Sequence, residues 1–203
     1  DILDYLEQLH PKPALMSGKQ STELEELLQA EDKLHVDLRN LTMRFTAPTK
    51  LMQRSKEQLE HFTISGTGTI DGKPDSYKAD ELEYWRNFSL NSGISNTQII
   101  ESAARFKQAL DKLELRLESA SYLLGNNVSL ADISWFVTVN RILLAGYPLQ
   151  RLHPKLWAWR ELLLKTPAFT SEEKAPFLQR QISNAIWIRD KITRRTLVDI
   201  AEI

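Results

Sequence analysis

Tyr122-Leu123-Leu124-Gly125-Asn126-Asn127-Val128-Ser129-Leu130-Ala131-Asp132 joins a tight turn to the start of a strongly apolar helix. Gly125-Asn126-Asn127 supplies the turn. Ser129 is a good N-cap residue, and Asp132 stands in the reciprocal position of a capping box. Leu130, Ala131, Ile133, Trp135, Phe136, Val137, Val139, Ile142, Leu143 and Leu144 then lie nearly all round the helix, which predicts a helix buried at the centre of its domain. A buried helix start has N–H groups that water cannot reach, so losing either cap residue is expected to cost about 1 kcal/mol or more. Gly146 and Pro148 end the helix.

On the N-terminal side, Ile99, Ala103, Phe106, Leu110, Leu113 and Leu117 recur at helical spacing behind a cap at Ser95 or Asn96. A helix over 80–91 turns Leu82, Trp85 and Phe88 inward and ends at Ser92-Gly93. Further back, Leu24, Leu27, Leu28, Leu34, Leu38, Leu41 and Phe45 form the apolar stripe of one long helix, capped by Ser21 or Thr22, and a more polar helix covers 49–61. Residues 2–9 form a short helix that His10-Pro11 stops. The helical pattern is weakest near 63–77. Asp71-Gly72 between short β-branched runs fits a hairpin turn, and the stretch fits an insertion loop equally well. On the C-terminal side, His153-Pro154 opens a helix carrying Leu156, Trp157, Trp159, Leu162 and Leu163, and one or two tail helices follow Thr170. Glycine is scarce and no repeat of fixed period occurs, so the expected class is all-α.

The 203 residues suffice for one domain with a sizeable core. The absence of cysteine excludes disulfides, thiolate metal sites and a cysteine nucleophile within the chain. A net charge of -1 gives no basic footprint, so no nucleic-acid partner is expected. The most apolar stretch, 133–149, is interrupted by Asn140 and Arg141 and falls short of a membrane span. Asp1-Ile2-Leu3-Asp4 lacks the basic start of a signal peptide.

The quoted stretch, the apolar helix after it, and then Pro154-Lys155-Leu156-Trp157-Ala158-Trp159 and Thr166-Pro167-Ala168-Phe169 resemble the C-terminal domain of glutathione transferases. Ile2-Leu3-Asp4-Tyr5-Leu6-Glu7 is similar to the last helix of the thioredoxin-like N-terminal domain in that superfamily. The resemblance implies a glutathione transferase C-terminal-like helical bundle over 21–203 with the insertion near 63–77. It implies a remnant of the thioredoxin-like domain and a linker over 1–20, most of that domain being absent from the chain. It further implies a cytoplasmic homodimer whose complete form conjugates glutathione, as cosubstrate, to a small-molecule electrophile. The thiol-activating residue would lie outside this chain, so no catalytic residue is assigned here, and Tyr5 is expected only to pack. The alternative is a non-catalytic helical interaction module in a protein complex, since fold alone does not fix function.

In the resemblance, the C-terminal half of the first long helix walls the electrophile pocket. Here that half holds Arg39, Met43, Arg44 and Phe45. Met43, Arg44, Phe45, Trp85 and Phe88 are therefore the candidate substrate-binding residues, with Phe177 and Trp187 added if the tail folds over the cleft. The plainer reading makes Met43 and Phe45 core and the arginines solvated. Four scattered histidines, His10, His35, His61 and His153, do not cluster as zinc ligands do, so no metal is expected. No phosphate-binding glycine loop or serine-nucleophile motif occurs. The tail cations Arg189, Lys191, Arg194 and Arg195 alternate with Asp190, Asp199 and Glu202, as on a solvated amphipathic helix, and no membrane contact is expected from it.

Overall fold

The computed structural model describes residues 2–10, 12, 14–16, 21–65, 69–70, 72–74, 76–172 and 177–203. In order along the chain come α1 (Ile2–Leu9), α2 (Ser21–Asp32), α3 (His35–Thr46), α4 (Thr49–Met52), α5 (Lys56–Ile64), β1 (Thr69–Ile70) and β2 (Lys73–Pro74). Then follow α6 (Ser76–Leu90), α7 (Asn96–Arg116), α8 (Leu130–Leu144), α9 (Leu149–Leu152), α10 (Pro154–Leu163), α11 (Pro167–Glu172), α12 (Phe177–Ile192) and α13 (Leu197–Ala201). The architecture is all-α apart from one small antiparallel ribbon, in which Thr69 pairs with Pro74 and Ile70 with Lys73. Gly72 takes φ 75 in its turn, a conformation glycine adopts without steric cost.

α8 packs on α2 and α3, and α3 packs in turn on α7 and α12. Trp135, Phe136, Val139 and Ile142 of α8 meet Leu41 of α3 and Ile99, Ala103, Phe106 and Leu110 of α7 in one continuous core. The α7 stripe faces that core because Ser95 and Gln98 form a reciprocal capping box that fixes where the helix starts. The short α13 packs on α7, and its Leu197 is wholly buried.

Three expectations are corrected. The single long helix over the 20s to 40s is two helices, broken at Lys33-Leu34. Leu34 has φ -93 and ψ 0, and its N–H closes a tight three-residue turn onto the Glu31 carbonyl. Leu34 remains buried, so the apolar stripe continues across the break. Glu31 just before the break is also buried and accepts hydrogen bonds from the Ser134 and Thr138 hydroxyls of α8. The polar helix over 49–61 is also two pieces. Ser55 and Gln58 cap α5 afresh after three extended residues. The helix expected over 80–91 is α6, which begins earlier, at Ser76; residues 66–68, 71 and 75 of the stretch before it lie outside the described residues.

Candidate functional site

The start of α8 is organised by one carboxylate. Asp132 has no exposed surface. Its Oδ1 accepts from the Leu123 amide at 2.9 Å and the Trp159 indole at 2.8 Å. Its Oδ2 accepts from the Ser129 amide at 2.8 Å and the Ser129 hydroxyl at 2.6 Å. Turn, helix start and α10 are thereby tied to a single side chain whose role is structural. A second tie reaches the N-terminal segment. The Leu130 amide donates to the Leu15 carbonyl at 3.1 Å, while Glu7 accepts from the Leu15 and Met16 amides at 2.8 and 3.1 Å.

A cleft of about 420 Å³ opens where the ends of α3 and α8 meet α12 and α13. Phe45, Leu144, Ala145 and Leu197 give it an apolar floor, and Trp187, Asp190, Lys191, Arg194 and Asp199 stand around it. Trp187 is 49% exposed, and the Lys191 ammonium lies 4.6 Å from its ring centroid, one helical turn on. Asp190 is held by Arg189 at 2.7 Å, and Asp199 accepts from the amide and hydroxyl of Thr196 as the cap of α13. Hydrogen bonds from Thr196 hold the Asp199 carboxyl below its usual range. Arg44, next to Phe45 on α3, is half-buried. Burial lowers its pKa, the guanidinium of Arg195 adds to that, Asp190 opposes it, and Arg189 lowers it further.

The five candidate residues therefore divide. Phe45 lines the tail-side cleft together with Trp187, while Arg44 beside it does not line the cleft and instead faces the tail charges Arg195, Asp190 and Arg189. Met43, Trp85 and Phe88 sit on the other side of α3, against α6. There Tyr84, Trp85 and Phe88 pack ring against ring at centroid distances of 5.6 to 6.4 Å, and the Tyr84 hydroxyl reaches the Met43 sulfur at 3.7 Å. Arg39 covers the Tyr84 ring and pairs with Glu81 at 2.5 Å, and Glu81 also accepts from the Trp85 indole at 2.7 Å. This cluster is packing between α3 and α6. The side chain of Phe177 lies outside the described residues. Leu144, Lys191 and Arg194 were missed by the sequence reading; the four-residue step from Trp187 to Lys191 was the available signal.

The buried hydroxyls near these sites are engaged internally. Tyr84 faces Asn40 and Met43, and burial pushes its phenol up to about 12. Tyr147 lies 2.9 Å from His153 Nε2. Among the described residues no group of three or more His, Asp or Glu could hold a metal ion.

Residues 83–162 match the family model described as the C-terminal domain of glutathione S-transferase. The helical fold of the chain is like that of a glutathione S-transferase C-terminal domain. Among solved structures, the beta-etherase LigF from Sphingobium sp. strain SYK-6 is similar in fold, with a TM-score of 0.62 and 21% identity, over 84% of this chain and 70% of that one. No curated protein matches the sequence. Among the described residues no helix is long and apolar enough to cross a membrane.

Proposed function

We infer that this chain, whose residues 83–162 match the C-terminal domain of glutathione S-transferase, is the electrophile-binding and dimer-forming part of a glutathione transferase-like enzyme. The observation that carries this reading is the apolar cleft roofed by the tail, with Phe45 of α3 in its floor and Trp187 of α12 at its mouth. A concave, mostly apolar site with a few polar groups at its rim suits a small electrophile better than a macromolecule. Glutathione is the cosubstrate in this reading, and a thioredoxin-like domain outside these residues supplies the group that activates its thiol. The enzyme is a cytoplasmic homodimer.

Chemically, the thiolate attacks an electrophilic carbon of the substrate and a leaving group departs with the bonding pair. This chain's contribution is to hold that carbon against Phe45 and Trp187 and to exclude water from it. The test compares the protein as its gene encodes it with residues 1–203 alone. Both are assayed with glutathione against 1-chloro-2,4-dinitrobenzene and against an ether, the substrate class in the name of the structural neighbour. Turnover by the complete protein that is absent from the shorter chain is expected. A complete protein that neither binds nor turns over glutathione overturns the reading.

The second reading, a non-catalytic interaction module, has an observation of its own. Leu51, Ile64, Tyr77 and Leu90, on α4, α5 and α6, are all more than two-thirds exposed. A stable heterologous partner in copurification supports it; a clean self-dimer in sedimentation counts against it.

A further inference from the structure

We propose that the tail-side cleft selects ligands that combine an aromatic ring with a carboxylate, the ring lying between Phe45, Leu144 and Trp187 and the carboxylate meeting Lys191 and Arg194. This rests on the reading of the cleft as the electrophile pocket and names the substrate class that pocket prefers.

Two independent features point the same way. The first is the uncovered ring. Trp187 keeps about half its surface in water although the cleft beside it has room for one or two rings. The second is the charge at the rim. Both carboxylates there are already committed, Asp190 to Arg189 and Asp199 to the Thr196 cap. Lys191 and Arg194 line the cleft, Arg44 and Arg195 stand beside its Asp190, and none of the four makes an ion pair within 4 Å among the described residues. Positive charge therefore exceeds negative at one end of an apolar slot, and a low-dielectric wall such as Phe45 strengthens the field there. Arg194 is also held in place. It follows the end of α12 with φ 52, fixed by the Arg195 amide donating to the Asp190 carbonyl at 2.8 Å, so its side chain leaves a defined point of the rim. A ligand anion set on Lys191 and Arg194 makes charge-assisted hydrogen bonds to two cations that no carboxylate engages within 4 Å among the described residues.

The experiment is calorimetric titration of the full chain with 2-naphthoate and, as a neutral partner of the same shape, 2-naphthamide. Naphthoate is expected to bind at least about tenfold more tightly at low ionic strength, with the advantage shrinking as salt is added. Lys191→Gln and Arg194→Gln each reduce that advantage several-fold, and a variant that weakens naphthamide as much as naphthoate overturns the carboxylate preference. Leu144→Trp, which fills the slot, abolishes binding of both compounds; Val198→Trp serves the same purpose if the first variant fails to fold by its melting curve. Equal affinities for the two compounds, both lost in the filled variant, overturn the carboxylate preference while the pocket stands. No binding of either compound, or binding that the filled variants leave intact, overturns the pocket reading and the preference together.

Discussion

Asp132 shows how much one side chain can hold. Removing it leaves the Leu123 and Ser129 amides and the Trp159 indole without their acceptor in a wholly buried place. Each orphaned buried donor costs on the order of 1–3 kcal/mol, so Asp132→Ala is expected to lose about 3–5 kcal/mol in urea unfolding. Ser129→Ala removes one donor and leaves the carboxylate's other bonds in place, and is expected to lose only about 1 kcal/mol. Equal losses for the two would show that Asp132 is not the organiser. His153 gives a different kind of prediction. It is wholly buried, stacked on Tyr147 at 5.9 Å, with Nδ1 3.7 Å from Asp111 and without a hydrogen-bond partner. Burial holds the Tyr147 phenol well above its ordinary value, so it keeps its proton, and its hydroxyl shares a hydrogen bond with Nε2. Burial lowers the His153 pKa; Asp111 and Glu114 oppose that shift and Lys107 adds to it. The unfolded chain then binds a proton that the folded chain refuses. Stability should fall as pH drops below about 6.5 and level off once the folded value is passed. His153→Gln should flatten that part of the pH–stability curve, and an unchanged slope would refute the assignment.

At the scale of the element, α6 is attached to α3 by contacts that are individually weak. Glu81 bridges Arg39 and the Trp85 indole at a site about one-third exposed. Glu81→Ala is expected to cost about 1 kcal/mol or less by thermal unfolding, while shifting Trp85 emission. A loss of several kcal/mol would mean that α6 is part of the main core. The elements most legible in the sequence are those whose signals are local. α7 and α8 each show an apolar pattern and an adjacent capping pair, Ser95 with Gln98 and Ser129 with Asp132, and both form where expected. The break between α2 and α3 has no such mark. Lys33-Leu34 contains neither glycine nor proline, and the buried Glu31 beside it meets hydroxyls on α8 more than a hundred residues away. The split before α5 was legible in Ser55 and Gln58, a capping pair hidden by the polar run around it. The candidate site was half legible for the same reason. Phe45 and Trp187 stand out as large aromatic side chains, but α3 points Met43 away from the cleft and packs it against α6. The cationic rim has the local pattern of a solvated helix, and only packing of α12 and α13 against α3 and α7 brings it to an apolar slot.

For the molecule as a whole, the tail is part of the core as well as the roof of the cleft. Leu197 has no exposed surface and packs where α13 meets α7. Leu197→Ala is therefore expected to cost about 2–5 kcal/mol, as for other leucines deleted from a core. A loss near zero would instead describe a detachable lid. Because α13 also lines the cleft, ligand binding and global stability should move together, and a ligand should raise the melting temperature with the logarithm of its concentration once that exceeds Kd. At the opposite end of α8, the bond from the Leu130 amide to the Leu15 carbonyl crosses from the helical bundle to the N-terminal segment. That amide proton can trade with deuterium only when the segment lifts or the helix start opens. Its protection factor thus measures, at one natural position and with no label attached, how firmly whatever precedes the bundle is seated upon it.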